Sequence, residues 1–169
     1  MSGNLAAIIV AAGKSQRMGG VDKQLRTIGG LPVLVRTVAV FEACPDVDAI
    51  VLVINPDNMA GAAELGIEYG WTKVRVMVPG GERRQDSVSA GLAAVVRLSK
   101  EEGGFEWVAV HDGARPLLSP ELISRGLEAA QEVGHRPGLD VESGQGDVEV
   151  EHELGLVAPD AHVREHRRR

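Results

Sequence analysis

Three short stretches of this chain concentrate the residue types that bind and transfer charged groups. The first, Ala11 to Leu25 (AAGKSQRMGGVDKQL), sets Gly13, Lys14, Arg17, Gly19, Gly20 and Lys23 behind an apolar run. The second is Gly80 to Val88 (GGERRQDSV), and the third is Val110 to Pro116 (VHDGARP). Gly13 can take backbone angles closed to other residues, so its N–H and those after it can point at a phosphate with no Cβ in the way. Arg17 and Lys23 add mobile positive charge. The spacing is neither the phosphate loop G-x-x-x-x-G-K-[ST] nor the dinucleotide fingerprint G-x-G-x-x-G, because the next glycines after Gly13 are Gly19 and Gly20. Taken alone, the first stretch fits both an anion-binding loop and a surface loop with solvated cations.

The elements that must carry these stretches alternate between strand and helix. Leu5 to Val10, Ala49 to Ile54, Val74 to Val78 and Trp107 to Val110 are short runs rich in β-branched residues, as in strands buried on both faces of a parallel sheet. Between them, Pro32 to Ala43 and Asp86 to Leu98 repeat apolar residues at helical spacing. Asn55-Pro56-Asp57 is a turn that can start a further helix. Ser119-Pro120-Glu121 opens a last helix with a capping hydroxyl, a first-turn proline and an acid, and that helix stops at Gly134. The pattern predicts βαβ units, right-handed crossovers and an α/β, Rossmann-like, mostly parallel sheet with helices on both faces. Gly13, Gly80 and Asp112 each fall just past a strand's carboxyl end, where open α/β sheets bind ligands.

Bulk properties narrow the function. A chain of 169 residues is long enough for one domain with a buried core. With 44% hydrophobic but only 3% aromatic residues, that core must be built from Ala, Val, Leu and Ile. A net charge of −6 opposes a general nucleic-acid surface, so no nucleic-acid partner is expected and any nucleotide bound is small. The single cysteine, Cys44, cannot form an internal disulfide, and no run of apolar residues is long enough to span a membrane. A cytoplasmic protein is expected, with Cys44 a packing residue before Pro45.

Taken together, Ala11-Ala12-Gly13, Arg17-Met18-Gly19, Lys23-Gln24-Leu25, the GGERRQDSV string and the HDGARP string resemble the sugar-phosphate nucleotidyltransferases. Specifically, they resemble the cytidylyltransferases that act on 2-C-methyl-D-erythritol 4-phosphate. The resemblance covers about residues 5–134 and implies transfer of a cytidylyl group from CTP, with Mg2+, in isoprenoid precursor synthesis. It makes Arg17 and Lys23 catalytic and Asp112 the metal ligand. It places Ala11, Ala12, Gly13, Gly81, Glu82, Ser87 and Gly113 around the nucleotide, with Glu82 acting through its backbone. Lys14 falls on no functional position of the family. Asp112-Gly113 is also a common turn pair, and Arg83, Arg84 and Asp86 also fit a solvated helix start. His111, at the end of an apolar strand, is expected to be a hydrogen-bonded structural group, and Arg115 to hold its loop.

Composition shifts from His135 onward. Four of the five histidines (His135, His152, His162, His166) fall there, with no lysine and no aromatic residue. No buried strand is expected, although Asp147 to Glu151 alternates. The natural division is therefore residues 1–134 as the nucleotide-binding domain and 135–169 as a disordered tail. A shifted reading frame near codon 135 would produce this change. A real tail in which His162 and His166, four apart, share a metal is the alternative. The homodimer arm of the family finds no match here, and an uncovered sheet edge is expected after the fourth strand. Rival functions are ribitol 5-phosphate or another polyol phosphate as acceptor, a guanylyltransferase, a nucleotide-binding module without turnover, and a plain dinucleotide binder.

Overall fold

The computed structural model describes residues 4–13, 27–134, 148–150 and 154–157. Strand β1 (Leu5–Ala11) lies at the centre and is buried at every position. Its neighbours β4 (Val47–Ile54) and β6 (Trp107–Asp112) both run parallel to it. Strand β5 (Val74–Pro79) pairs in parallel outside β4, and as the sheet's edge it is only half-buried. A strand that is apolar on both faces needs cover on both, and the helices supply it.

One face of β1 turns Leu5, Ala7, Ile9 and Ala11 into a core shared with helices α1 (Val33–Ala43), α2 (Met59–Glu68) and α4 (Pro120–Gly134). The other face turns Ala6, Ile8 and Val10 toward Ala94 and Val95 of helix α3 (Arg84–Glu102). Helices thus sit on both faces, and each fully buried Leu, Ile or Val contributes about 1.5–3 kcal/mol. Helix α3 approaches most closely at Gly91, where a Cβ would stand 2.6 Å from Ile8 Cγ2 and 3.1 Å from Val53 Cγ2.

The expected strands and helices are found, the four strands one or two residues longer than the sequence pattern suggests and α3 longer at both ends. Three features differ from expectation. A small antiparallel hairpin, β2 (Thr27–Ile28) and β3 (Leu31–Pro32), precedes α1 and turns through Gly29 and Gly30, both at positive φ (56° and 81°). Arg36 of α1 donates to the turn carbonyls of Ile28 and Gly29 at 2.6 and 3.2 Å. Two residues per strand are too few for periodicity to register.

The second and third differences concern the region after His135. Strand β8 (Leu154–Val157) pairs antiparallel with β6, and β7 (Val148–Val150) pairs antiparallel with β8, giving the order β5-β4-β1-β6-β8-β7. The expectation of an uncovered edge at β6 is corrected, because β8 covers it. The two-valine alternation at Val148 and Val150 and the LGLV run are short, and the pairing of β8 with β6 and of β7 with β8 comes from tertiary context. Histidines His135, His152, His162 and His166 lie outside the described residues. Among the described residues no helix is long and apolar enough to cross a membrane.

The Gly91 contact yields a stability prediction. Alanine favours a helix over glycine by about 1 kcal/mol, but overpacking a tight core costs about 1–3 kcal/mol. Because the atom it would meet is the branched, fully buried Ile8 side chain, Gly91→Ala is expected to lower unfolding stability by about 1 kcal/mol in urea melts. An unchanged or raised midpoint would show that α3 is not held at contact distance by this glycine.

Candidate functional site

The strand registers bring the carboxyl ends of the parallel strands level. Ala11 pairs with Ile54, Ile54 with Pro79, and Val10 with Asp112. Residues 12, 55, 80 and 113 therefore leave the sheet side by side along one edge. From β5 to β6 there are three inter-strand steps, a span of about 14 Å. The expectation that the first, second and third stretches converge on one edge is met for their described parts.

At the β5 side of this edge is a cleft of about 270 Å3 lined by Ala12, Asn55, Pro56, Asp57, Gly80, Gly81 and Glu82. Its floor is set by close contact between the first and second stretches. A Cβ on Gly80 would lie 2.1 Å from the Ala12 Cβ and 2.8 Å from Ser87 Oγ, so no other residue fits without moving the turn. The Gly80 amide donates to the Ile54 carbonyl at 2.9 Å, extending the β4 ladder one residue past the strand. Gly81 donates its N–H to Ser87 Oγ at 3.1 Å, and Ser87 is 2% exposed. The Ser87 hydroxyl therefore faces the turn and shapes it from beneath.

Helix α3 begins here. Asp86 accepts from the Arg83 amide at 3.2 Å and from the Arg83 guanidinium at 3.1 and 2.9 Å. The guanidinium first, and then the Arg83 amide, hold the Asp86 carboxyl below its ordinary range, so at neutral pH it is ionised and the pair is formed. Asn55 Oδ1 accepts from the Asp57 amide at 3.1 Å and so starts the short 3-10 turn Pro56–Asn58 on the opposite wall. The sequence marks a turn there without assigning Asn55, Pro56 or Asp57 to the site, and it places Gly80 at the edge without showing the contact with Ala12 that requires glycine.

At the β6 side, Asp112 Oδ1 accepts from the Ala114 amide at 2.9 Å, and Oδ2 stands 4.0 Å from Arg115 Nε. The Asp-Gly turn and an exposed carboxylate at the edge are thus both present. Gly113 is buried, donates its N–H to the Val10 carbonyl at 2.9 Å, and would crowd the Ala11 Cβ at 3.0 Å if it carried a side chain. His111 is 1% exposed, lies 2.9 Å through Nε2 from the Arg115 carbonyl and leans against Phe41 with ring centroids 5.4 Å apart. That is the structural role expected of it. Cys44 is a buried free thiol.

The first stretch is described only as far as Gly13. Arg17, Lys23 and Lys14 lie outside the described residues. Ala11 is fully buried and Ala12 is 7% exposed at the lip of the cleft. The special backbone angles expected at Gly13 are not found. Its φ is not positive, and among the described residues a Cβ built there would meet nothing within 4 Å. Gly13 itself is exposed.

A mostly parallel sheet with its ligand groove along the carboxyl edge is the build of the nucleotide-handling α/β proteins. The family profile of 2-C-methyl-D-erythritol 4-phosphate cytidylyltransferase (IspD) matches residues 5–143, and the chain belongs to that family. A 2-C-methyl-D-erythritol 4-phosphate cytidylyltransferase of Dehalococcoides mccartyi is 48% identical over 130 residues, covering 77% of this chain and 54% of the relative. A bifunctional enzyme IspD/IspF of Desulforudis audaxviator is 47% identical over 130 residues, covering 76% of this chain and 31% of the relative. Among solved structures, the 4-diphosphocytidyl-2C-methyl-D-erythritol synthase of Anaerococcus prevotii aligns with a TM-score of 0.62 at 30% identity, over 76% of this chain and 51% of that one. The chain spans about half the length of the curated relatives it matches.

The Gly80 contact gives the second prediction. Gly80→Ala is expected to push the turn off Ala12 and Ser87, lowering stability by about 1–3 kcal/mol and speeding hydrogen exchange of the Gly81 amide. Wild-type exchange at Gly81 in the folded variant would mean that the turn tolerates a methyl group.

Proposed function

We propose that this chain carries the nucleotide half of a cytidylyl transfer from CTP to 2-C-methyl-D-erythritol 4-phosphate, giving 4-diphosphocytidyl-2-C-methyl-D-erythritol and pyrophosphate. The observation that carries the proposal is the meeting of Ala12, the Gly80–Ser87 turn and the Asp112–Gly113 turn on one sheet edge in a member of this family. A run of strand ends about 14 Å across suits a nucleoside triphosphate better than a single small anion. In the reaction, a phosphate oxygen of the acceptor attacks the α-phosphorus. The bond to the β-phosphate breaks, and pyrophosphate leaves with the electron pair.

Transfer of this kind is driven by in-line positioning and by fixed charge on the phosphoryl oxygens. The described residues supply the positioning. Gly80, Gly81 and Glu82 offer backbone donors and acceptors in a cleft too tight for side chains, which suits recognition of a base edge. Ser87 holds that turn, and Gly113 leaves room for the sugar. Arg17 and Lys23 belong to the signature stretch, and in this reading they neutralise charge developing on the α-phosphate; one such donor is worth about 2.7–4 kcal/mol in comparable sites.

Magnesium fits the Asp112 carboxylate at the β6 end of the edge. Asp112 is 42% exposed at its side chain and uses Oδ1 for a single backbone bond, so both oxygens keep lone pairs for a hard cation. Among the described residues no cluster of three or more acidic, His or Cys side chains could hold a metal by itself, as suits an ion carried largely by phosphate oxygens. Magnesium would supply charge neutralisation across the triphosphate. A cytoplasmic setting fits a single buried thiol that needs no oxidising compartment.

Pyrophosphate release with Mg2+ tests the proposal. Turnover is expected with CTP and 2-C-methyl-D-erythritol 4-phosphate and not with GTP or with ribitol 5-phosphate, and Asp112→Asn is expected to lower kcat by about 100-fold. Tight CTP binding with no release under any pairing would favour a binding module, and preference for GTP would overturn the cytidylyl assignment.

A further inference from the structure

We propose that Thr37 of α1 is a positioning residue for the Asp112–Gly113 turn, an inference that rests on the functional reading above. Its side chain is 1% exposed, and its Oγ1 lies 3.0 Å from the Gly113 carbonyl and 3.1 Å from the Val33 carbonyl one helical turn back. A hydroxyl has one proton to give. A helical threonine needs no partner beyond the i−4 carbonyl, and that carbonyl already takes part in the helix ladder. The Gly113 carbonyl is the acceptor reached across the fold, in a residue that is itself buried.

The geometry makes this contact more than a tie between helix and loop. The Gly113 N–H is fixed to the Val10 carbonyl of β1 at 2.9 Å, so with Thr37 on its carbonyl both backbone polar groups of the residue are held. Its neighbours complete the turn, because Ala114 N–H donates to Asp112 Oδ1 at 2.9 Å and the Arg115 amide donates to the Asp112 carbonyl at 3.1 Å. The direction of the Asp112 carboxylate is thus set by a chain of bonds that ends at the Thr37 hydroxyl. Without that hydroxyl a buried carbonyl loses its bond, and the turn can rotate to find another. A misplacement of this size near reacting groups can cost up to about a hundredfold in rate with little change in substrate binding.

Thr37→Val keeps the shape and removes the hydroxyl, and Thr37→Ser keeps the hydroxyl. The expected result is a fall in kcat of about ten-fold for Thr37→Val, with KM for CTP changed less than about three-fold, and near-full recovery in Thr37→Ser. In the ligand-free protein, the amide resonances of Gly113 and Ala114 are expected to shift in Thr37→Val and to hold their places in Thr37→Ser. This arm needs no turnover, so it decides the role of Thr37 even if the unsubstituted chain releases no pyrophosphate. Should Thr37→Val not fold, Thr37→Ala removes the same hydroxyl without added bulk and is read in its place. Unmoved Gly113 and Ala114 resonances, equal losses in the serine and valine variants, or failure of both hydroxyl-free variants to fold would overturn the proposal, the last by making the hydroxyl a requirement for stability alone.

Discussion

The constraint on which this structure depends is the register of four parallel strands. Hydrogen bonding of β4 and β6 to the two sides of β1 sets where each strand ends, and the ends fall level. Everything at the candidate site follows from that alignment. Gly80 can press on Ala12, and Gly113 on Ala11, only because β5 and β6 stop where β1 does. A slip of one residue would also exchange the side chains that pack on the two helix layers, so the apolar runs that build the core hold the site in place by the same interaction.

The described part of the site is made mainly of backbone. The Gly80–Gly81 turn, the Gly113 peptide and the exposed backbone at Gly13 present N–H and C=O groups, while side chains such as Ser87, Asp86 and Thr37 face those turns and brace them. This division has a physical advantage. Backbone groups fixed by strand ends need little reordering when a ligand arrives, whereas long cationic side chains lose conformational freedom.

Much of the fold was legible because buried parallel strands are short and uniformly apolar, and because Pro120, Gly134 and the Gly80–Gly81 pair punctuate the chain. The convergence of the stretches was legible for the same reason, since strand direction alone puts their ends on one edge. The tight contacts were not. That Gly80 must be glycine depends on Ala12, and the bond from Thr37 to Gly113 joins residues on different elements; neither leaves a local pattern. Strands β7 and β8 were hidden because three or four residues with a polar interruption carry no clear period. The freedom that glycine offers at position 13 is not used for a positive φ.

Amide chemical-shift mapping with CTP and Mg2+ tests the level-edge site most directly. The resonances of Ala12, Gly81, Ser87 and Gly113 should move together and saturate at one common concentration, as three strand ends around a single ligand require. Shifts confined to one of these turns, or centred on the opposite edge near Leu5 and Val47, would contradict it.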